Sequence, residues 1–401
     1  MNVPIQQLLS HVSVEELAEL TSRLIKIPSH WDVPSKEVEV VKAVAEFLDL
    51  EGIPYELQHV EGERYNIIAC LKGSGGGKSL SLAGHLDTVP PYNMKVDPFG
   101  GKIADERIWG RGTVDMKGPD ACMLLTLAAF KRSGIRLAGD LYFTGVLAEE
   151  TNSDGAESLI ESGFRTDGVI IGEPSGICYS IGHRGLEWIE VEFFGKTAHG
   201  GVPEEGVNAI LQATKFITRV QEKIVPELKK RYHPHMGPSV MNFGKIEGGL
   251  QPSTVAGSCT LQLDRRYLPW ESVKSLMKEY QDVIDELSAE DLTFRAELRL
   301  LDIGIMNKYE HVALETSPDD PIVDAIKYAL SEVHNKPAEL STKHGWTDAA
   351  LFKHYGNMPT VVYGPGDLVR AHGPEEYITF KELEDGFRTY LLAAIKYCGV
   401  C

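Results

Sequence analysis

The chain has 401 residues, 43% hydrophobic and 24% charged, the balance of a soluble globular protein too long for one comfortable core. Its formal net charge is −18 with no basic block to offset it, which argues against nucleic acid and anionic membranes as partners. No apolar run approaches about 18 residues, so no membrane span is expected.

Met1 to Gln6 lack the basic region and apolar run of a signal peptide. Cys70, Cys122, Cys178 and Cys259 are scattered in apolar surroundings and read as reduced core thiols of a cytoplasmic protein. Cys398-Gly-Val-Cys401 has C-x-x-C spacing but no second pair, which argues against a metal or redox site there.

Taken in order, Ser13-Val-Glu-Glu16 is a capping-box pattern, and Leu17, Leu20, Leu24 and Ile25 follow at helical spacing. A second helix is predicted from about Lys36 to Leu50, stopping at Gly52. Short strands are predicted at 55–60, 66–71 and 80–83. Gly73 to Ser79 nearly matches a phosphate-binding loop, but its first glycine position is Lys72 and it runs into a strand. A phosphate site needs a helix there, so the stretch reads as a flexible hairpin loop. Gly110 to Asp115 likewise fails G-x-G-x-x-G at its last position and leads into an apolar helix, Ala121 to Phe130. Strands at 141–147 and 169–171 end in Glu149-Glu150 and Glu173. Strands alternating with helices argue for a mainly parallel or mixed α/β sheet.

The pattern changes near Gly182. Strand 186–194, helix 208–224, strands 240–246 and 255–263, helix 271–287 and strand 292–300 give the order β-α-β-β-α-β of the ferredoxin-like split unit. From about Pro318 the α/β style returns, with a helix at 321–333, a strand at 360–362 and a closing helix at 380–397. The main domain is placed over residues 1–183 and 313–401, and the inserted module over 184–312.

The chemistry gathers at strand ends and turns. Ser79 to Ala83 reads as a buried strand running through Gly84 into a turn that carries His85 and Asp87, two apart and so on one side of extended backbone. Asp115, Glu149-Glu150, Glu173 and His372 add further donors. Two imidazoles and three carboxylates suit two divalent ions such as zinc, which accepts both ligand types, and one carboxylate can bridge the pair. Asp87 can accept the proton on the His85 nitrogen that faces away from metal, which fixes the tautomer. In Glu149-Glu150 adjacent side chains point apart, so one can bind metal while the other faces the water to be activated, as general base and then acid.

His85-Leu-Asp87-Thr-Val, Gly110-Arg-Gly-Thr-Val-Asp115-Met-Lys-Gly118, Glu149-Glu150, Gly172-Glu173-Pro174-Ser175 and His372 resemble the M20 metallopeptidase family. The subgroup resembled is that of acetylornithine deacetylase and succinyl-diaminopimelate desuccinylase, over about residues 10 to 395. The resemblance implies a zinc-exopeptidase-like α/β fold, its mixed sheet having helices on both faces, with an inserted ferredoxin-like α+β lid that dimerises. It implies His85, Asp115, Glu150, Glu173 and His372 as ligands of two Zn2+ per subunit, Asp115 bridging, with Co2+ or Mn2+ as possible substitutes. By the same resemblance Asp87 orients His85 and Glu149 is the catalytic base. Glu173, where aminopeptidases of the family tend to have Asp, implies cleavage of an amide next to a free carboxylate. The substrate implied is an N-acyl amino acid, with a carboxypeptidase or dipeptidase acting on short peptides as the alternative.

Lys196-Thr-Ala-His199-Gly-Gly-Val-Pro203 resembles the family's lid motif, whose histidine would reach the partner subunit's site and stabilise the oxyanion. Asp264-Arg-Arg266-Tyr-Leu-Pro269 resembles its D-x-R-x-x-P element, so Arg266, in preference to Arg265, would grip the substrate carboxylate. Asn242 and Thr347 are further substrate-binding candidates. Gly345-Trp346-Thr347-Asp348 departs from the family's small residues at its tryptophan, which either narrows the pocket or packs.

Overall fold

The computed structural model describes residues 5–301, 306, 308–342 and 345–400. Helix α1 (Val14–Ile25) starts where Ser13 accepts a hydrogen bond from the Glu16 amide. Only half of the predicted capping box forms, because the Glu16 carboxylate is drawn away to Arg132. Helix α2 (Val38–Glu51) ends at Gly52 in the left-handed conformation, φ +61°, that glycine adopts freely. Strands β1 (Tyr55–Glu61), β2 (Arg64–Leu71) and β3 (Leu80–His85) follow. Helix α3 (Lys117–Ser133) begins before its apolar run, with Pro119 tolerated in the first turn. Next come β4 (Leu141–Val146), α4 (Asp154–Glu161), β5 (Gly168–Ile171) and the long β6 (Gly185–Phe194). They are followed by α5 (Ala209–Lys230), β7 (Val240–Gly248), β8 (Ser258–Tyr267), α6 (Val273–Glu290) and β9 (Ala296–Leu300). Helices α7 (Pro321–His334) and α8 (Ala349–His354), strand β10 (Thr360–Val362) and helix α9 (Phe380–Cys398) complete these elements.

The first sheet runs β1-β2-β4-β3-β5-β10. Strands β4, β3, β5 and β10 are parallel, and β1 and β2 are antiparallel, so the sheet is mixed as expected. Both faces are covered. Leu80, Leu82, Leu141, Phe143 and Ile170 pack among residues of α1, α2, α3, α7 and α9. The alternate set, Ala83, Val146, Val169, Ile171 and Val362, packs against Ala156, Leu159 and Ile160 of α4 and Ala349–Phe352 of α8. Burial on both sides explains why these strands read as short, nearly continuous apolar runs. Ser81 is accommodated by its Thr144 partner, the two hydroxyl oxygens 2.9 Å apart.

The Gly73–Ser79 hairpin expectation is wrong. Strand β4 lies between β2 and β3, so the stretch is a crossover. It is pinned rather than free: Ser74 N–H donates to Leu137 O and Gly75 N–H to Ala138 O, both at 2.9 Å. A Cβ on Gly77 would sit 2.1 Å from Cys398 O, so that glycine serves close backbone approach. Cys70, Cys122, Cys178, Cys259 and Cys398 are free, with Cys70 and Cys178 only partly buried; Cys401 of the C-x-x-C pair lies outside the described residues.

The second sheet runs β7-β8-β6-β9, every pairing antiparallel, and the element order β-α-β-β-α-β is the one read from periodicity. It has its own core, where Ile189, Val191 and Phe193 meet Phe216 of α5 and Tyr280 of α6. The alternate residues Glu192, Thr260 and Gln262 face the other side. Two predicted boundaries move inward. Val255 N–H is used by Ala198 O rather than by a strand neighbour. Leu292 is 88% exposed in a turn where Asp291 Oδ1 accepts from Thr293 N–H.

Candidate metal centre

The donors leave the C-terminal edge of the first sheet. Gly84, just before His85, has no room for a side chain, since a Cβ would lie 2.1 Å from Asp120 Oδ1 of α3. That contact seats α3 against β3 and places Asp115, two residues before the helix, beside His85. His85 Nε2 is 3.1 Å from Asp115 Oδ1 and 3.5 Å from Glu173 Oε1, at the end of β5. His372 Nε2 is 3.2 Å from Asp115 Oδ2 and 3.0 Å from Glu150 Oε1. The Asp115 carboxylate therefore sits between the two imidazoles with one oxygen toward each.

Asp87 does more than the sequence reading gave it. His85 Nδ1 is 3.1 Å from the Asp87 carbonyl and 3.5 Å from its Oδ1, so both Nδ1 neighbours are acceptors and Nε2 is turned to the centre. The same carboxylate accepts the amides of Glu149 (3.2 Å) and Glu150 (3.0 Å). Ala148, at φ +61°, begins that turn, and His372 lies at φ +58°. Non-glycine residues in this region carry backbone strain that concentrates at functional sites. The turn separates the two glutamates. Glu150 joins His85 and Asp115 in one group able to hold a cation, and Glu149 joins His85 and Glu173 in a second.

The electrostatics ask for cations. Burial pushes the Glu149 carboxyl well above its usual range, and Glu173 adds to the push. Burial and the charge of Asp115 raise Glu150. Burial opposes charge on His85, yet Asp115, Asp87 and Glu173 hold it well above the ordinary imidazole value. His372 is pushed up to about 10 against burial by Asp115 and Glu150. Burial would raise Asp115 too, but the two histidines hold it well below the carboxylate range. Carboxylates this dense and this buried are costly unless paired or coordinating metal. The mixture of imidazole nitrogen and carboxylate oxygen in these two groups fits a pair of borderline divalent ions, and His372, beside Asp115 and Glu150, stands where it could complete the set expected from the sequence, His85, Asp115, Glu150, Glu173 and His372.

Glu376 is a site residue the sequence did not signal. Fully buried, it pairs with buried Arg111 and accepts the amides of Gly112 (3.0 Å) and Val114 (2.9 Å), fixing the loop that carries Asp115. Its neighbour Glu375 is exposed, and nothing in Pro374-Glu375-Glu376 distinguishes the two before folding. Glu376→Ala leaves the Arg111 charge buried and unpaired, so equilibrium urea unfolding is expected to show a loss of about 3–5 kcal/mol.

The centre opens into a cavity of about 540 Å³ lined by Glu149, Glu150, His372, Glu187, Arg266 and Trp346 among others. Arg266 therefore reaches the cavity, although its guanidinium is engaged by Asp264 at 2.7 and 2.9 Å. Arg265 is buried and pairs with Glu271. Trp346 packs and narrows at once: its indole N–H donates to Val312 O at 2.9 Å while it lines the cavity. The other three candidates lie elsewhere. Thr347 is fully buried with its hydroxyl 3.1 Å from His183 Nε2. Asn242 is exposed on β7 and paired in register with Asp264. His199 is exposed in a loop bridged to Thr254, where its Nδ1 accepts the Gly201 amide.

The family model described as peptidase family M20/M25/M40 matches residues 81–396. The chain belongs to that family. M20 relatives at about this length include acetylornithine deacetylase of Vibrio cholerae serotype O1, 30% identical over 394 residues that are 97% of this chain and 99% of the relative. Acetylornithine deacetylase of Vibrio campbellii is 31% identical over 400 residues, 98% of this chain and 100% of the relative. Among solved structures, the aminopeptidase PepT of Bacillus cereus superposes with a TM-score of 0.80 at 22% identity, covering 96% of this chain and 99% of that one. The M20 family metallo-carboxypeptidase Sso-CP2 of Sulfolobus solfataricus gives 0.78 at 17% identity, covering 95% and 99%. These likenesses establish the α/β mixed-sheet fold. With its two candidate donor groups, the chain is a metal-dependent hydrolase of the M20 type.

Proposed function

We propose that this M20 protein is a two-zinc amidohydrolase that removes the acyl group from an N-acyl amino acid, of the deacetylase or desuccinylase kind. The observation that carries the reading is the position of Asp115 between His85 and His372, the latter lining a cavity together with Glu149 and Arg266. Identity of 30% with acetylornithine deacetylases over nearly the whole chain supports the acyl-amino-acid class. When bound, the ions supply acidity to a water and polarise the acyl carbonyl.

The chain's own groups do the rest. Glu149 takes the water proton as oxygen bonds to the acyl carbon, then delivers it to the departing amine nitrogen as the C–N bond breaks. Asp87 holds Glu149 and His85 in register through its amide and ring contacts. Arg266 grips the substrate carboxylate by exchanging one of its Asp264 bonds. Asn242 and Thr347 enter the site only with a rearrangement of their surroundings.

The module carrying β6–β9 is proposed as a ferredoxin-like lid, 184–312, through which two copies pair, set into a main domain of 1–183 and 313–401. His199 is not among the residues lining its own cavity and is assigned to the partner's oxyanion. Mixing His199→Ala with Glu149→Ala subunits is then expected to restore about a quarter of wild-type activity, the statistical share of intact sites; activity no higher than either variant alone refutes sharing. Among the described residues no helix is long and apolar enough to cross a membrane, and a cytoplasmic location belongs to the same proposal.

The test is released amine from N-acetyl and N-succinyl amino acids compared with dipeptides, with zinc, cobalt or manganese supplied. Faster turnover of dipeptides replaces the deacylase reading with that of a dipeptidase.

A further inference from the structure

Glu187, on β6, lines the same cavity and has no part in the steps above. Its side chain is 8% exposed. Its described neighbours are the His311 amide, which donates to it, and His311 Nδ1 at 4.0 Å. That imidazole offers no charge, because burial and the adjacent Arg266 hold it down at about 4. The two arginines opposite on β8 are already committed, Arg265 to Glu271 and Arg266 to Asp264. Among the described residues, then, no charged cation stands within ion-pair distance of Glu187.

A buried carboxylate facing a ligand cavity without a counter-charge is costly to keep. Burial pushes the Glu187 carboxyl up to about 7, with Glu310 adding to it. Trp31, Tyr92, Trp188 and Trp346 line the same cavity. Aromatic faces attract organic cations, most strongly where water is excluded. Trp346 also fixes the local geometry, its ring edge-on to His311 at 4.8 Å.

We propose that Glu187 reads the substrate side chain and selects an N-acyl amino acid whose side chain ends in a cation. The inference rests on the hydrolase reading for the identity of the cavity's ligand, and the experiment separates the two. Nα-acetyl-L-ornithine and Nα-acetyl-L-norvaline share a propyl side chain and differ in the terminal ammonium. The wild-type kcat/KM is expected to favour the ornithine compound by about tenfold or more, the scale of one charge-assisted hydrogen bond. Glu187→Gln lowers that ratio by about tenfold, chiefly through the KM of the cationic substrate, and Glu187→Lys inverts it. A folding defect lowers both rates together and leaves the ratio alone.

Calorimetric binding of the same two compounds to the Glu149→Ala protein reads the preference without turnover. Equal rates and affinities for the pair overturn the proposal, as does a preference that survives in Glu187→Gln. Binding preference without hydrolysis of any N-acyl amino acid overturns the hydrolase reading and upholds the role of Glu187. Absence of both binding and hydrolysis of the pair overturns the role of Glu187 and leaves the hydrolase reading to the N-succinyl and dipeptide assays.

Discussion

Glu149→Ala is expected to lower kcat by about two to four orders of magnitude while the protein keeps two equivalents of zinc. The distinction matters because Glu149 stands in one of the two candidate donor groups, with His85 and Glu173. If its work is proton transfer, the loss appears in kcat with metal content intact. If its work is ligation, one equivalent of zinc is lost as well, and elemental analysis of the purified variant reveals it. Near-normal turnover with both ions present refutes the base assignment. Burial and Glu173 raise the Glu149 carboxyl, a direction suited to a group that must hold a proton midway through the reaction.

Asp115→Ala should have the larger structural reach. One oxygen of Asp115 faces His85 and the other faces His372, so under the proposed bridging role its removal strips a ligand from both positions at once. Loss of both ions and of activity to background is expected, measured by metal analysis and by amine release after supplying excess zinc. His85→Ala, by comparison, leaves the Asp115, His372 and Glu150 contacts in place. A variant of Asp115 that retains either ion at wild-type affinity contradicts the bridging geometry.

The donors were legible because they stand at the ends of strands that the core requires. Leu80 to Ala83 is buried on both sides, so His85, past Gly84 at the strand's end, is the first imidazole or carboxylate the strand presents. Ile171 does the same for Glu173, two residues on. Short-range pattern gives which residues emerge at that rim, and two-residue spacing pairs His85 with Asp87.

What pattern could not give is where a side chain spends its hydrogen bonds. Glu16 matches a capping box and goes to Arg132 instead. Arg266 matches a carboxylate-gripping element and is folded back on Asp264. Thr347 sits in the expected loop with its hydroxyl turned to His183. The Gly73–Ser79 crossover was misread for a related reason: nothing local announces that β4, which follows α3 in the chain, will slot between β2 and β3. Glu187 falls on the same face of its strand as buried Ile189, Val191 and Phe193, and only the assembled cavity shows it short of a counter-charge.

The Glu376 carboxylate has a mechanical consequence. It accepts the Gly112 and Val114 amides while lying four positions beyond His372, so the segments bearing Asp115 and His372 are riveted to one another. Whatever breathing the cleft needs to admit a substrate cannot prise those two segments apart. A probe placed near Glu376 is therefore expected to stay silent when substrate enters.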